Sequence, residues 1–372
     1  MPALVDVARA QLELAARQSL GRSMHETERL GGARVRRRGE EYISFSCNDY
    51  LGLSRHPRVI AAAREALERY GAGAGGSRLV TGNHPAYAEL ERRIAELKST
   101  ERALVFGSGY LVNIGVIPAL VAKNDLIVAD RLSHACTWDG ARLSGATVMR
   151  FTHNNLDHCR ELLEEHRASF DRCVILTETV FSMEGDRAPI AGLAELAKKH
   201  DAWLMTDDAH GLGICAAHDA DLQMGTLSKA AGSYGGYVCA RSDVIAYLEN
   251  KARSMLFATG LPPASVAAAA AALEIIEGDP DLVQKPLLNA RRFTTAIGRE
   301  AAQSPIVPVI VGAADRALAA SAMLAEHRYL VVPIRPPSVP PGTARLRFAF
   351  SAMHEAHDIA RVAELLIGHG YR

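Results

Sequence analysis

What this chain lacks narrows it first. Its 372 residues carry 42 basic and 42 acidic side chains, so no field of one sign is available to gather nucleic acid or an anionic membrane surface. The six cysteines, Cys47, Cys136, Cys159, Cys173, Cys215 and Cys239, include no C-x-x-C pair, which argues against a zinc knuckle and a disulfide framework. They read as reduced core residues of a cytoplasmic protein. Long apolar runs are missing too: "LPPASVAAAAAALEII" is cut by a proline pair and is too short and alanine-rich to span a bilayer. The opening "MPALVDVARAQLELAARQSLGR" has no apolar signal core and reads as an amphipathic helix. No repeat or low-complexity segment appears beyond the alanine run, which reads as a tightly packed helix. The expected partners are small molecules and further copies of the chain, with no nucleic acid and no membrane.

After that helix and a short extended piece around "EYISFSCNDYLGL", compact apolar runs alternate with amphipathic stretches. The runs "RALVFGSG", "DLIVADRL", "TVMRF", "CVILTETVF", "AWLMTDD", "LQMGTL" and "GYVCA" are mostly apolar at every position, as strands covered on both faces are. Between several of them lie helical patterns such as "NLDHCRELLEEHRASF" and "PIAGLAELAKKH". Strand, helix, strand in repetition predicts an α/β fold with a mostly parallel, seven-stranded sheet. A helical stretch over 262–302 breaks the pattern, and "IVPVIV", "YLVVPI" and "ARLRFAF" with two more helices predict a smaller α+β domain. The expected boundaries are 1–45 for an N-terminal helix and arm, 46–260 for the large domain and 261–372 for the small one.

The loop "GAGAGGSRLVTG" contains Gly71-x-Gly73-x-x-Gly76, the spacing of a dinucleotide fingerprint. Such a fingerprint follows a strand and opens a helix, because its glycines let a pyrophosphate reach the helix N-terminus. These glycines instead follow a helix with Val59, Ile60, Ala63 and Leu67 on one face, and the next helix starts only near His84 and Pro85. They predict close backbone packing, with any phosphate held elsewhere.

Ligands of wound sheets gather at the carboxyl ends of the strands. After "RALVF" come Gly107, Ser108, Gly109 and Tyr110 at the start of a helix, an anion site. At the other ends stand Ser133 and His134; Glu178 and Ser182; Asp207, Asp208 and His210; and Thr226, Ser228 and Lys229. Singly, each has a plain structural reading, such as a surface lysine or a capping aspartate. Together they suit pyridoxal phosphate: a lysine for its aldehyde, a carboxylate for its ring nitrogen, a flat side chain for its ring, and hydroxyls with helix N–H groups for its phosphate. A serine hydrolase built on Ser182, His210 and Asp207 lacks any G-x-S-x-G elbow. The "DDAH" stretch offers too few ligands at workable spacing for zinc, and no metal is expected. A non-catalytic nucleotide-binding module using the glycine loop is the rival from another class.

At "SCNDYLGL", "GAGAGGSRLVTG", "DRLSHA", "TETVFSMEGD", "TDDAHGLG", "GTLSKA" and "IRPPSVPPGTARLRF" the sequence resembles the α-oxoamine synthases, pyridoxal phosphate enzymes of fold type I. They join an amino acid to an acyl thioester with loss of carbon dioxide. The resemblance implies that Lys229 is the Schiff-base lysine, that Asp207 partners the pyridine nitrogen, and that His134 stacks on the ring and positions substrate. It places His210 and Ser182 near the ring's phenolic oxygen, with Ser108 and Glu178 also among the cofactor contacts. The phosphate would be held by Gly109 and Tyr110, by the Thr226 hydroxyl, and by Ser338 from the other subunit of a homodimer with shared active sites.

For substrate, the family pattern implies Arg347 for the amino acid's carboxylate, as a guanidinium grips a carboxylate with two bonds. Asn48 and Ser77 fall in family substrate motifs, and the glycine loop resembles a segment at the dimer interface. Arg335, with Arg22 assisting, resembles a position that binds a carboxylate at the far end of a long acyl chain, which points to L-alanine and a pimeloyl thioester. Glycine acetyltransferase, 5-aminolevulinate synthase and serine palmitoyltransferase are the sister activities. One departure stands out: the connection "ICAAHDADLQM" is shorter than the family's.

Overall fold

Strands apolar at every position need cover on both faces, and the seven expected strands receive it in one sheet. In the computed structural model, which describes residues 1–215 and 219–371, they are β1 (Arg102–Phe106), β2 (Leu126–Asp130), β3 (Thr147–Phe151), β4 (Cys173–Glu178), β5 (Trp203–Asp207), β6 (Leu222–Thr226) and β7 (Gly236–Ala240). Their order is β1-β7-β6-β5-β4-β2-β3, all parallel except β7, which runs antiparallel to both of its neighbours. Successive side chains alternate between the faces. Ile127 and Ala129 of β2 join a core with Val112 and Val116 of helix Gly109–Leu120 and Leu248 of helix Ser242–Lys251. Leu126 and Val128 join another, with Leu163 of helix Leu156–His166 and Leu193 of helix Ile190–Lys199.

The chain divides into two units, and not where the sequence suggests. The larger comprises Leu51–Ser182 and Asp186–Gln284; the smaller comprises Met1–Tyr50, Met183–Gly185 and Lys285–Arg372. The expected boundary at 260/261 moves to 284/285 because the stretch over 262–302 is two helices, Pro263–Gly278 and Pro280–Ala296, broken at Asp279. The first packs against helices Pro57–Tyr70 and Ala86–Leu97 of the larger unit. Its alanines let the backbones approach closely, so helix Pro57–Tyr70 buries Val59 and Ala66, while Ile60 and Leu67 of its expected apolar face stay exposed.

Residues 1–45 are likewise no separate arm. Strand Tyr329–Leu330 pairs in parallel with Ile43 and Ser44, and Phe45 is buried with Phe293, Phe348 and Phe350 in the core of the smaller unit. This core lies against an antiparallel sheet of Ile306–Gly312, Ala344–Ala349 and Pro333–Ile334. "YLVVPI" therefore supplies two short strands in different sheets. Helix Leu4–Arg17 forms as expected, with none of its residues buried. Cys136, Cys159, Cys173 and Cys239 are core residues, whereas Cys47 and Cys215 are only half-buried; all six are free thiols. Among the described residues no helix is long and apolar enough to cross a membrane.

His354 ties the smaller unit to pH. Its ring stacks on Phe45 at 4.1 Å, Nδ1 accepts the Ser351 N–H at 2.9 Å, and Nε2 donates to the Ser44 carbonyl at 3.0 Å. Both nitrogens are committed in the neutral tautomer, and burial pushes the imidazole down to about 4. The unfolded chain takes up this proton near pH 6.5, so the stabilisation is complete above 6.5 and is lost as pH falls towards 4. Its full size is about 3 kcal/mol. Urea unfolding of His354→Gln at pH 7 and pH 4.5 is expected to show a smaller acid loss than the parent; equal losses would rule the group out as the acid sensor.

Candidate active site

The loop expected to hold a phosphate is built from backbone. Beyond β1, Ser108 is extended and its Oγ accepts the Leu111 N–H at 3.2 Å, capping helix Gly109–Leu120. Helical geometry leaves the N–H groups of Gly109 and Tyr110 without intrahelical acceptors, and the helix dipole adds positive potential there. A Cβ on Gly236 would lie 2.4 Å from the Ser108 carbonyl carbon and 2.5 Å from the Gly109 nitrogen, so this loop meets β7 backbone to backbone. Thr226, at the end of β6, donates its hydroxyl to the Gly235 carbonyl at 2.9 Å and lies 2.8 Å from Ser228 Oγ. Two helix N–H groups beside hydroxyls fit a phosphate. The Tyr110 phenol is tied to Asp139.

Charged groups meet at the ends of β5 and β6. Lys229 Nζ lies 2.9 Å from His210 Nε2. Asp207 is buried and accepts the Ala209 N–H at 2.9 Å and Asn113 Nδ2 at 3.1 Å. Burial pushes its carboxyl up, opposed by the charge of Lys229, the Ala209 N–H, His134 and Asn113. His134 caps helix Ala135–Ser144, and burial holds its imidazole below the usual range. The buried Cys136 thiol, pushed up to about 12, keeps its proton 2.8 Å from His134 Nδ1, which also accepts the Cys136 N–H. Burial thus disfavours charge on both the imidazole and the carboxyl, and a protonated ring nitrogen would offer Asp207 the partner that favours its ionised form. Glu178, at the end of β4, accepts the Ser182 N–H at 3.0 Å, and Ser133 Oγ, in the turn after β2, is buried with no bond among the described residues.

Asn113 is a site residue that no motif in the sequence marks. Its signal is a lone amide in the otherwise apolar helix "GYLVNIGVIPAL", where a buried amide needs a partner. Ser77 sits in the glycine loop, bridged to Thr259. That loop connects two helices, and its glycines serve close backbone contact: Gly260 N–H donates to Gly76 O at 2.9 Å, and a Cβ on Gly82 would meet Gly76 O at 2.0 Å. Residues 216–218 of the short connection lie outside the described residues.

The remaining candidates form two groups in the smaller unit. Arg347, buried on strand Ala344–Ala349, donates to Asn48 Oδ1 at 3.1 Å, and Tyr50 donates to the same oxygen at 3.3 Å. Its strand neighbour Arg345 is bound to Glu184 at 3.0 Å. Arg335 donates to the Ser19 and Gly21 carbonyls, and Arg22 bonds Ser338 Oγ at 3.1 Å. Burial, with the Arg22 charge close by, lowers the Arg335 guanidinium from its ordinary value. Two like charges held this near each other favour an anion.

The model of the aminotransferase class I and II family matches residues 40–366. A putative 8-amino-7-oxononanoate synthase of Acidiphilium cryptum is 56% identical over 364 residues, covering 96% of this chain and 95% of its own. An 8-amino-7-oxononanoate synthase of Methylobacterium sp. (strain 4-46) is 57% identical over 352 residues, covering 94% and 93%. Among solved structures, a serine palmitoyltransferase from S. paucimobilis with bound PLP-myriocin aldimine superposes with a TM-score of 0.91 at 27% identity, covering 99% of this chain and 98% of its own. A phosphate cradle, a lysine and a buried aspartate arrayed on a fold type I sheet agree with these likenesses, and the chain belongs to the aminotransferase class I and II family as a pyridoxal phosphate-dependent α-oxoamine synthase.

Proposed function

We infer that this protein carries out the 8-amino-7-oxononanoate synthase reaction of biotin biosynthesis, the decarboxylative condensation of L-alanine with pimeloyl-CoA or a pimeloyl carrier protein. The observation that carries this reading is the meeting of Lys229, His210, Asp207 and His134 at the ends of β5 and β6, in a chain whose relatives of that name are 56% and 57% identical.

Pyridoxal phosphate, when bound, supplies an aldehyde for amine attachment and a ring that accepts carbanion electrons. Lys229 would be its attachment point, and the lysine amine, once free, would take the α-proton of alanine. Asp207 keeps a proton on the ring nitrogen, and His134 packs on the ring and orients substrate. Ser108, Gly109, Tyr110 and Thr226 hold the phosphate, with Glu178, Ser182 and His210 around the ring. Arg347 would hold the alanine carboxylate and point the deprotonated carbon at the thioester carbonyl carbon; the new carbon–carbon bond would form as the thiol leaves, the resulting β-keto acid would lose carbon dioxide, and the carbon would be reprotonated. Asn48 and Ser77 line the substrate path, and Arg335 with Arg22 receives the far carboxylate of the acyl chain. The working unit is a homodimer in the cytoplasm, in which Ser338 completes the phosphate site of the other subunit.

A serine palmitoyltransferase reading draws on the 0.91 superposition, but a palmitoyl chain ends in a methyl group and gives paired guanidiniums nothing to bind. The test is product mass spectrometry with L-alanine and acetyl, succinyl, palmitoyl or pimeloyl thioesters. Pimeloyl is expected to lead in kcat/KM by about 100-fold or more. Preference for any of the other three overturns the assignment.

A further inference from the structure

Lys98 has no place in this scheme, yet it is among the most deeply buried side chains of the larger unit. It follows helix Ala86–Leu97, is 2% exposed, and sets Nζ 2.5 Å from Oδ2 of Asp208, whose side chain is fully buried. Its carbonyl accepts from the buried Gln223 side chain at 3.4 Å. Taking two charges out of water is costly, and apolar residues of like volume often serve stability equally well. The pair therefore calls for another reason.

That reason lies one residue away. Asp207 is the last residue of β5 and Asp208 follows it, and their carboxylates face different partners. Asp207 turns to Asn113, Asp208 to Lys98. The Asp208 backbone also anchors the turn that carries His210: its N–H donates to Met224 O at 2.7 Å, and its carbonyl accepts from Gly211 at 2.9 Å and Leu212 at 3.2 Å. Among the described residues, the titratable groups around Asp208 include Tyr237, Cys215 and Cys239, whose phenol and thiols burial keeps protonated.

We propose that Lys98 is a positioning residue for the reaction. By neutralising Asp208 it lets Asp207 stand as the single negative charge offered to the cofactor's ring nitrogen. Without Lys98, a second buried carboxylate would make Asp207 hold its own proton more tightly, since a like charge disfavours ionisation of its neighbour. With Lys98 but no Asp208, the uncompensated cation would act in the opposite sense.

This proposal rests on the functional reading above, and the wild-type baseline keeps the two apart: cofactor uptake and product formation by the unaltered protein test that reading, and the variants are compared against it. Lys98→Met, Asp208→Asn and the double variant are loaded with pyridoxal phosphate, and three quantities are followed: cofactor retention on dialysis, the pH midpoint of the bound cofactor's visible absorption, and kcat with KM for alanine. Lys98→Met is expected to raise the midpoint and lower kcat by roughly 10- to 100-fold with KM little changed. Asp208→Asn is expected to lower the midpoint, and the double variant to recover retention and kcat to within about threefold of the parent. Should Lys98→Met fail to fold, the downward midpoint shift in Asp208→Asn still decides. Midpoints that stay put or move the same way in both single variants, or a double variant no better than Lys98→Met, would overturn the proposal.

Discussion

Replacing Lys229 with alanine is expected to lower turnover by about 10,000-fold or more, because in the proposed scheme attachment point and proton acceptor vanish together. The fold should survive: the side chain is half-buried and its close partner is His210. The phosphate cradle proposed at the Ser108–Tyr110 loop, β6 and β7 is untouched, so the variant should still take up pyridoxal phosphate, without a covalent link. Removing the lysine charge also lets Asp207 and His134 bind protons more readily, since that charge now opposes protonation of both. Borohydride reduction followed by peptide mass spectrometry gives the decisive comparison: the wild type carries the label on residue 229 and the variant carries none. A label on another lysine, or normal turnover in the variant, would sink the assignment.

Asp207→Asn is the second large effect. The amide nearly preserves shape and can still accept the Ala209 N–H, so the loss is chiefly that of charge. Removing one partner of a buried charge pair costs about 3 kcal/mol or more, roughly a 100-fold loss in kcat or greater. The Asn113 amide, now donating to Asp207, would face a second amide and force one of the two to rotate. Steady-state kinetics with alanine as the varied substrate should place the loss in kcat rather than KM. A kcat within threefold of the wild type would remove Asp207 from the charge-stabilising role.

The sheet was readable from sequence because burial on both faces writes itself as unbroken apolar runs, and β2 and β4 are the clearest cases. The rim was readable because Ser108, His134, Asp207 and Lys229 each follow such a run. Two kinds of feature were hidden. Asn113 and Lys98 lie within or just beyond helices, and their partners, Asp207 and Asp208, are far away in sequence; a polar residue in a helix announces a need for a partner without naming it. The division into units was hidden as well, because helix Pro263–Gly278 follows the seventh strand yet packs on helices from the start of the larger unit. Composition gives no address for an alanine-rich helix: its small side chains suit any close neighbour.

The reversed direction of β7 has a consequence for how this enzyme can change. Had β7 been parallel, the chain after Thr226 would have needed a long crossover to return to the sheet. Instead a short link, in which Leu227 bonds Gly235 and Gly232 bonds Lys229, delivers the lysine and then Gly236 to the same edge. Lengthening that link by even one residue would shift Lys229 relative to Gly236, which packs on the Ser108–Gly109 backbone. Evolutionary insertions and engineered loop grafts should therefore be tolerated in the helix-to-strand connections at the amino edge of the sheet, and be purged between 226 and 236.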